Sequence, residues 1–238
     1  MRVIFNGELK SINDVPVSSS GWLEGEGIFE TIKSVGNKPF SLSRHIARAQ
    51  HSALALGISM PSSDQISQGV AHLFAAVPQG IGMLRISFDN HGNWLAVHMP
   101  YKEQEKSADV RMHPEAVIGD VHKRFPYANR LEILEQARLA GFDDAIVVNP
   151  DGNICEGSVT NLIVHIDGRW VTPPTTDVVL PGIIRQILIE NELVAIESIP
   201  ADRLVEISSA FIISSLRLSH AISSIDSRPL HLSHAFGE

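Results

Sequence analysis

The sequence predicts an α+β chain in two subdomains, and three observations predict it. Helical and strand-like periods follow one another without regular βαβ alternation. Turns centred on Gly with Asn or Asp repeatedly join short β-prone runs. A polar, charged stretch over residues 100–110 divides the chain near its middle. The expected organisation is a smaller N-terminal α/β domain over residues 1–110, a linker over 111–120 and a larger C-terminal domain over 121–238.

The elements follow in order. MRVIFNGELK alternates around an Asn-Gly pair and reads as a hairpin. Three glycines crowd the start of the stretch GWLEGEGIFETIKSVGNKPFSL, which continues as a strand pair through Gly36-Asn37. Ser41 to Gly57 is a helix with Leu42, Ile46, Ala49, Ala53 and Leu56 on one stripe, stopped by Gly57. Residues 63–76 give a second helix. Gly82–Phe88 and Trp94–His98 are strands joined by a turn at Asp89-Asn90-His91-Gly92. Beyond the linker, Asn129–Ala140 is a helix with Leu131, Leu134 and Ala137 facing inward. AIVV and ICEG flank the turn Asn149-Pro150-Asp151-Gly152, and EGSVTN is expected to lie on the second of these strands. LIVHI and RWVT flank Asp167-Gly168, a further hairpin. Pro181-Gly182 opens a helix from Ile183 to Asn191, and AFIISSL is a buried strand.

Composition narrows the function. The chain has 238 residues, 44% of them hydrophobic and 19% charged, enough for a sizeable core. A formal net charge of −8 speaks against general affinity for nucleic acid, while leaving room for a local basic pocket. Cys155 is the only cysteine, so no internal disulfide forms; this fits a reducing cytoplasm, and a small buried residue on a strand is the expected role. The first ten residues carry charge and no long apolar run, so no secretory signal is expected. No uninterrupted apolar segment is long enough to predict a membrane span. The histidines offer no HxH or HExxH pair, so no metal is expected. GEG lacks the third glycine and the setting of a dinucleotide fingerprint.

Five stretches together resemble the class IV aminotransferases, the fold-type IV pyridoxal phosphate enzymes. That family includes branched-chain and D-amino acid aminotransferases and 4-amino-4-deoxychorismate lyase. GWLEGEGIFETI is similar to the family's GxxYGDGxFETI, and LSRHIARAQHSALALGI to LxxHxxRLxxSAxxLGI. KRFPYANRL followed by GFDDAIVV resembles KTLNYLxNxL followed by GADEALLL. EGSVTNLIV resembles EGSGSNLFLV, and LPGIIRQIL resembles LPGITRxxL. The matches cover nearly the whole chain in the family's order. The resemblance implies a two-domain, D-amino acid aminotransferase-like fold, bound pyridoxal 5'-phosphate, a small-molecule amine substrate and a homodimer.

It also implies roles for residues. Lys123 would join the cofactor covalently and then move the substrate's proton; an ordinary lysine is protonated and needs such a setting to act. Glu156 would face the pyridine nitrogen, keeping it protonated so that the ring accepts electrons. Arg48, with His45 in HxxR, would hold the cofactor phosphate, for which a planar guanidinium fork is suited. Ile183 and Ile184 would offer backbone N–H groups at a helix start. Ser215 and Leu216 would form a second phosphate-binding turn. Tyr127 either meets the cofactor's 3-hydroxyl or is a core tyrosine. Glu30 and Thr31 either line the pocket or pack the strand. Four positions depart from the family: Pro126 and Ser214 replace Asn, Ile184 replaces Thr, and Glu24 replaces an aromatic.

Two features lean toward the lyase, which releases pyruvate to give 4-aminobenzoate for folate biosynthesis. The turn SSLR resembles the NSLR of lyase relatives, and the turn after ISFDN is short where many aminotransferases carry an arginine-glycine loop. An aminotransferase acting on branched-chain or D-amino acids is the alternative, and a degenerate member without turnover is a third possibility.

Overall fold

The computed structural model describes residues 1–18, 22–234 and 236, and places them in two units. Gly21, which opens the GWLEGEGIFETI stretch, lies outside the described residues. The first unit holds Met1–Glu103 and His122–Pro126; the second holds Gln104–Val121 and Tyr127–Glu238.

In the first unit, β1 (Arg2–Phe5) and β2 (Glu8–Ser11) form the expected hairpin. Asn6 and Gly7 adopt the positive φ that a tight two-residue turn requires. After them come β3 (Gly27–Val35), β4 (Lys38–Pro39), α1 (Leu42–Leu56), α2 (Ser63–Ala76), β5 (Ile81–Asp89) and β6 (Trp94–Pro100). The sheet order is β2-β1-β6-β5-β3-β4. Ile28 and Ile32 of β3 bury against Ile46, Ala49 and Ala53 of α1, the stripe read from the sequence. Gly57 ends α1 at φ 70°, a left-handed stop. The Ser62 and Gln65 side chains close a capping box on α2. The Asp89 carboxylate accepts the backbone N–H groups of His91 and Asn93, which closes the β5–β6 turn tightly.

The chain then enters the second unit through β7 (Ala108–Ala116), which corrects the expected linker at 111–120. β7 pairs in parallel with two strands, and Ala108 and Val110 are buried between them. Its charged, outward-facing residues hide this alternation in the sequence. The chain next returns to the first unit for β8 (Arg124–Phe125), which pairs with β3. Lys123 thus belongs to the first unit, not to the C-terminal domain expected to carry it.

The second unit continues with α3 (Ala128–Leu139), β9 (Asp144–Val148), β10 (Asn153–Gly157), β11 (Asn161–Ile166), β12 (Arg169–Thr172) and α4 (Ile183–Glu190). It ends with β13 (Ala195–Ile196), β14 (Ile199–Pro200), β15 (Ser209–Ser214), β16 (Leu218–Ile225) and β17 (Arg228–Pro229). β11, β15, β16, β7, β9 and β10 pair in turn, and a β10–β11 pairing closes the ring into a barrel. Val110, Ile146, Ile154, Leu162, Ile212 and Ile222 pack within one core. On α3, Ile133 turns inward with Leu134 and Ala137, whereas Leu131 is exposed, contrary to expectation. EGSVTN is likewise divided: Glu156 and Gly157 end β10, and Asn161 begins β11. No helix among the described residues is long and apolar enough to cross a membrane.

Candidate active site

Lys123 is fixed in the first unit by β3. The Phe29 N–H donates to the Lys123 carbonyl at 2.9 Å, and Lys123 Nζ lies 4.6 Å from the Phe29 ring centroid. Gly27 allows this approach of β8, since a Cβ there would lie 2.7 Å from the Phe125 ring, as well as 2.0 Å from the Phe88 carbonyl oxygen of β5. Trp22 sets its ring edge-on to Phe29 at 4.6 Å, and the Arg85 guanidinium lies 3.9 Å over Trp22. Arg85 stands opposite Thr31 on β5, so it projects from the same sheet face as Phe29. Its Nε is buried without a hydrogen-bond partner, and burial lowers its pKa. Beside the lysine, His122 Nδ1 lies 3.0 Å from Ser52 Oγ, and the Phe125–Pro126 peptide, where the sequence departs from the family, is cis.

Arg48 reaches the next residue of β3. Its Nε and Nη2 donate to the two oxygens of Glu30 at 2.9 and 2.5 Å. His45 Nδ1 lies 2.6 Å from the same carboxylate. Glu30 therefore neither faces open solvent nor merely packs: it is the buried anchor of the HxxR pair. Phe29 and Glu30 alternate along β3, so Lys123 and Arg48 meet the strand on opposite faces.

Burial alone would raise the Glu30 pKa, but the Arg48 charge and the hydrogen bonds from His45 and Arg48 outweigh it and bring it to about 2. The resulting stabilisation is complete above the unfolded value of 4.5 and is lost as pH falls through about 2. We expect the stability gap between the wild type and Glu30→Gln to narrow by on the order of 3 kcal/mol across that window. Urea unfolding at several pH values measures it; a gap that stays constant would contradict this account of Glu30.

The remaining candidates belong to the second unit, at one end of its barrel. Glu156 pairs in register with Asn161, whose Nδ2 donates to Glu156 Oε2 at 3.1 Å. The Leu180 N–H donates to the same oxygen at 3.2 Å, and Arg130 Nη2 on α3 donates to Oε1 at 2.5 Å. Behind this turn, buried Asp144 accepts the N–H and hydroxyl of Ser158 and the hydroxyl of Thr160, which fixes the bend between Glu156 and Asn161. Tyr127 stands at the N-terminus of α3, where its carbonyl accepts the Leu131 N–H.

Gly182, Ile183 and Ile184 start α4 against the same asparagine. A Cβ on Gly182 would lie 1.8 Å from Asn161 Oδ1, so only glycine fits. No side chain caps α4, and first-turn N–H groups have no acceptor within a helix. Asn161 lies opposite Ile213 near the end of β15, and the chain turns there through Ser215 and Leu216. The Arg217 N–H donates to Ser214 Oγ at 3.1 Å, closing the turn. Arg217 Nη1 is 3.8 Å from Asp144 Oδ2. Glu156, Ile183, Ile184, Ser215 and Leu216 are thus gathered around the Asn161 end of β11. Cys155, next to Glu156, is buried, and burial together with the Glu156 charge pushes its thiol up to about 12, so it is no nucleophile.

Sequence reasoning missed Arg85, Arg130, Asp144 and Arg217. The available signal was polarity at buried register positions, visible only once the strands are paired. In the second unit, Arg130 Nη1, Arg185 Nε and Arg217 Nη1 are buried donors without a hydrogen-bond partner, Arg217 Nη1 having only the longer ion pair to Asp144. Such a surplus of cationic donors suits an anionic group.

Comparison with known proteins agrees with this architecture. The family model for amino-transferase class IV matches residues 27–225. A candidate branched-chain-amino-acid aminotransferase of Methanocaldococcus jannaschii is 28% identical over 213 residues, covering 80% of this chain and 74% of its own. The branched-chain aminotransferase of Thermoproteus uzoniensis, solved with norvaline, superposes with a TM-score of 0.86 at 23% identity, covering 97% of this chain and 89% of that one. A candidate 4-amino-4-deoxychorismate lyase from Legionella pneumophila gives 0.81 at 23% identity, covering 88% and 87%. The chain belongs to the class IV aminotransferases, a family of pyridoxal phosphate enzymes.

Proposed function

We propose that the protein is a pyridoxal phosphate-dependent 4-amino-4-deoxychorismate lyase. The observation that carries this reading is the set of buried guanidinium nitrogens without a hydrogen-bond partner in the second unit, at Arg130, Arg185 and Arg217. The cofactor phosphate accounts for part of that demand. A substrate with two carboxylates, such as aminodeoxychorismate, uses more of it than a branched-chain amino acid with one. The SSLR turn and the closed turn between β5 and β6 support the same reading.

The residues fit the cofactor. Ile183 and Ile184 would give backbone N–H groups to its phosphate, with Ser215 and Leu216 at the neighbouring turn. Arg48 would add charge to the phosphate while bound to Glu30. Tyr127 would meet the 3-hydroxyl, and Glu156 the ring nitrogen. When bound, pyridoxal phosphate supplies an electron-accepting ring that acidifies the carbon bearing the substrate's amine.

Lys123 does the remaining work at Nζ. It takes the proton from that carbon and returns one to the departing enolpyruvyl group. The products, 4-aminobenzoate and pyruvate, together contain the atoms of the substrate, so no co-substrate is needed. Arg85, on the Lys123 face of its sheet, would orient a carboxylate.

The purified holoenzyme is expected to release 4-aminobenzoate and pyruvate from aminodeoxychorismate with no keto acid present. The names of several relatives favour a second reading, an aminotransferase for branched-chain or D-amino acids. Amino-group transfer to a keto acid, without any release of 4-aminobenzoate, would establish that reading instead.

A further inference from the structure

We propose that Arg130 is a positioning residue that sets the protonation of the cofactor's ring nitrogen by sharing Oε1 of Glu156 with it. This rests on the reading of Glu156 as the ring nitrogen's partner.

The Glu156 side chain is only 6% exposed, and both of its oxygens are engaged by the protein. Oε2 takes the Asn161 amide from β11 and the Leu180 N–H. Oε1 takes Arg130 from α3. Arg185 on α4 is a second guanidinium whose charge interacts with Glu156, although its Nη2 is anchored on the Pro173 carbonyl. The chain neighbour Cys155 is a neutral thiol whose Sγ donates to the Asp177 carbonyl, and the Asp177 charge adds to the burial and the Glu156 charge that push it up. Glu156 is therefore an anion paired with Arg130 and within the electrostatic reach of Arg185.

A carboxylate so placed is a weak base, because each guanidinium stabilises its ionised form. A ring nitrogen that meets it must compete with Arg130 for the same oxygen. Its proton is then held less firmly than by a carboxylate with no cation beside it. Arg130 is also not saturated by the fold, since its Nη1 is buried with no hydrogen-bond partner. A guanidinium serving only to pin α3 to β10 would be expected to satisfy that nitrogen as well. The incomplete set beside Glu156 points to a residue arranged around a bound group.

The test uses holoenzyme reconstituted with ring-15N pyridoxal phosphate, followed by the 15N chemical shift as a function of pH. In Arg130→Gln the ring nitrogen is expected to hold its proton to higher pH, by on the order of one unit or more. Arg130→Lys, which restores the charge, is expected to move the curve back toward the wild type. Superimposable curves for the wild type and Arg130→Gln would overturn the proposal. Arg130→Met serves the same purpose if Arg130→Gln does not fold, because it keeps the apolar stem without the charge. Glu156→Gln, measured in parallel, is expected to let the proton go at lower pH. No change in Glu156→Gln would remove the underlying reading of Glu156. A change there, with none in the Arg130 variants, would sink the role of Arg130 alone.

Discussion

Lys123→Ala is expected to abolish covalent attachment of pyridoxal phosphate and to lower turnover by about 10²–10⁴-fold, the usual contribution of a positioned proton carrier. Borohydride reduction of the wild-type holoenzyme should fix the cofactor to the peptide containing Lys123 and to no peptide containing Lys10, Lys33, Lys38, Lys102 or Lys106. The expectation follows from how the chain holds this residue. Its carbonyl is bound by the Phe29 N–H, and its Nζ lies over the Phe29 ring. With its backbone bound to β3 and its Nζ over a ring of the same strand, the residue presents its amine in one place, as a nucleophile must. By contrast, Lys33 is paired with Glu103 and Lys10 with Glu8. The alanine variant should still fold, because β8 pairs with β3 through Arg124 and Phe125 rather than through the Lys123 side chain. An adduct mapped to another lysine, or unimpaired turnover in the variant, would remove Lys123 from the role.

Much of the fold was legible because local chemistry and tertiary packing agree. Asn6-Gly7 and Asp167-Gly168 adopt the positive φ that their hairpins need, and Gly57 stops α1 where the apolar stripe ends. β7 was not legible. Its sequence ADVRMHPEA shows only two buried apolar positions before charge takes over, and its parallel partners come from far along the chain. No local pattern reports a pairing of that kind. The inward face of α3 is hidden in the sequence for a related reason. The helix has few apolar residues, and its orientation is decided by contacts with β9 and β7 rather than by a dominant stripe.

In the site, residues carried by contiguous motifs were legible, and residues that act through space were not. Glu156 and Asn161 sit together because a bend folds EGSVTN back on itself, and the motif contains both. Arg130 lies in the stretch KRFPYANRL, where nothing local marks it; only the docking of α3 brings it to Glu156. Arg85 in MLRISF alternates as an outward residue would, yet Trp22 covers it. Asp144 reads as the polar start of a strand, and its hydroxyl partners lie on the far side of a hairpin. The sequence leaves Glu30 open between lining and packing. The structure assigns it to neither, because His45 and Arg48 close around it.

Glu156→Gln is expected to act twice, on stability and on catalysis. Three donors converge on the carboxylate: Arg130 Nη2, Asn161 Nδ2 and the Leu180 N–H. Glutamine offers one acceptor oxygen where the carboxylate has two, and no charge. The buried Arg130 guanidinium then loses its counter-ion, a change that destabilises by about 3–5 kcal/mol. The variant should still bind cofactor, since the α4 start and the Ser215 turn are built from other residues. Its turnover should nevertheless fall by about 10²-fold or more, as expected when an electrostatic partner of developing charge is removed. The double variant Arg130→Met/Glu156→Gln separates the two effects. Removing both charges should restore much of the stability, because no buried ion is left alone. It should not restore turnover, because the carboxylate proposed to face the ring nitrogen is still absent. Urea unfolding and steady-state kinetics on the single and double variants measure the two quantities independently. Turnover that recovers along with stability would mean that Glu156 serves the fold and not the chemistry.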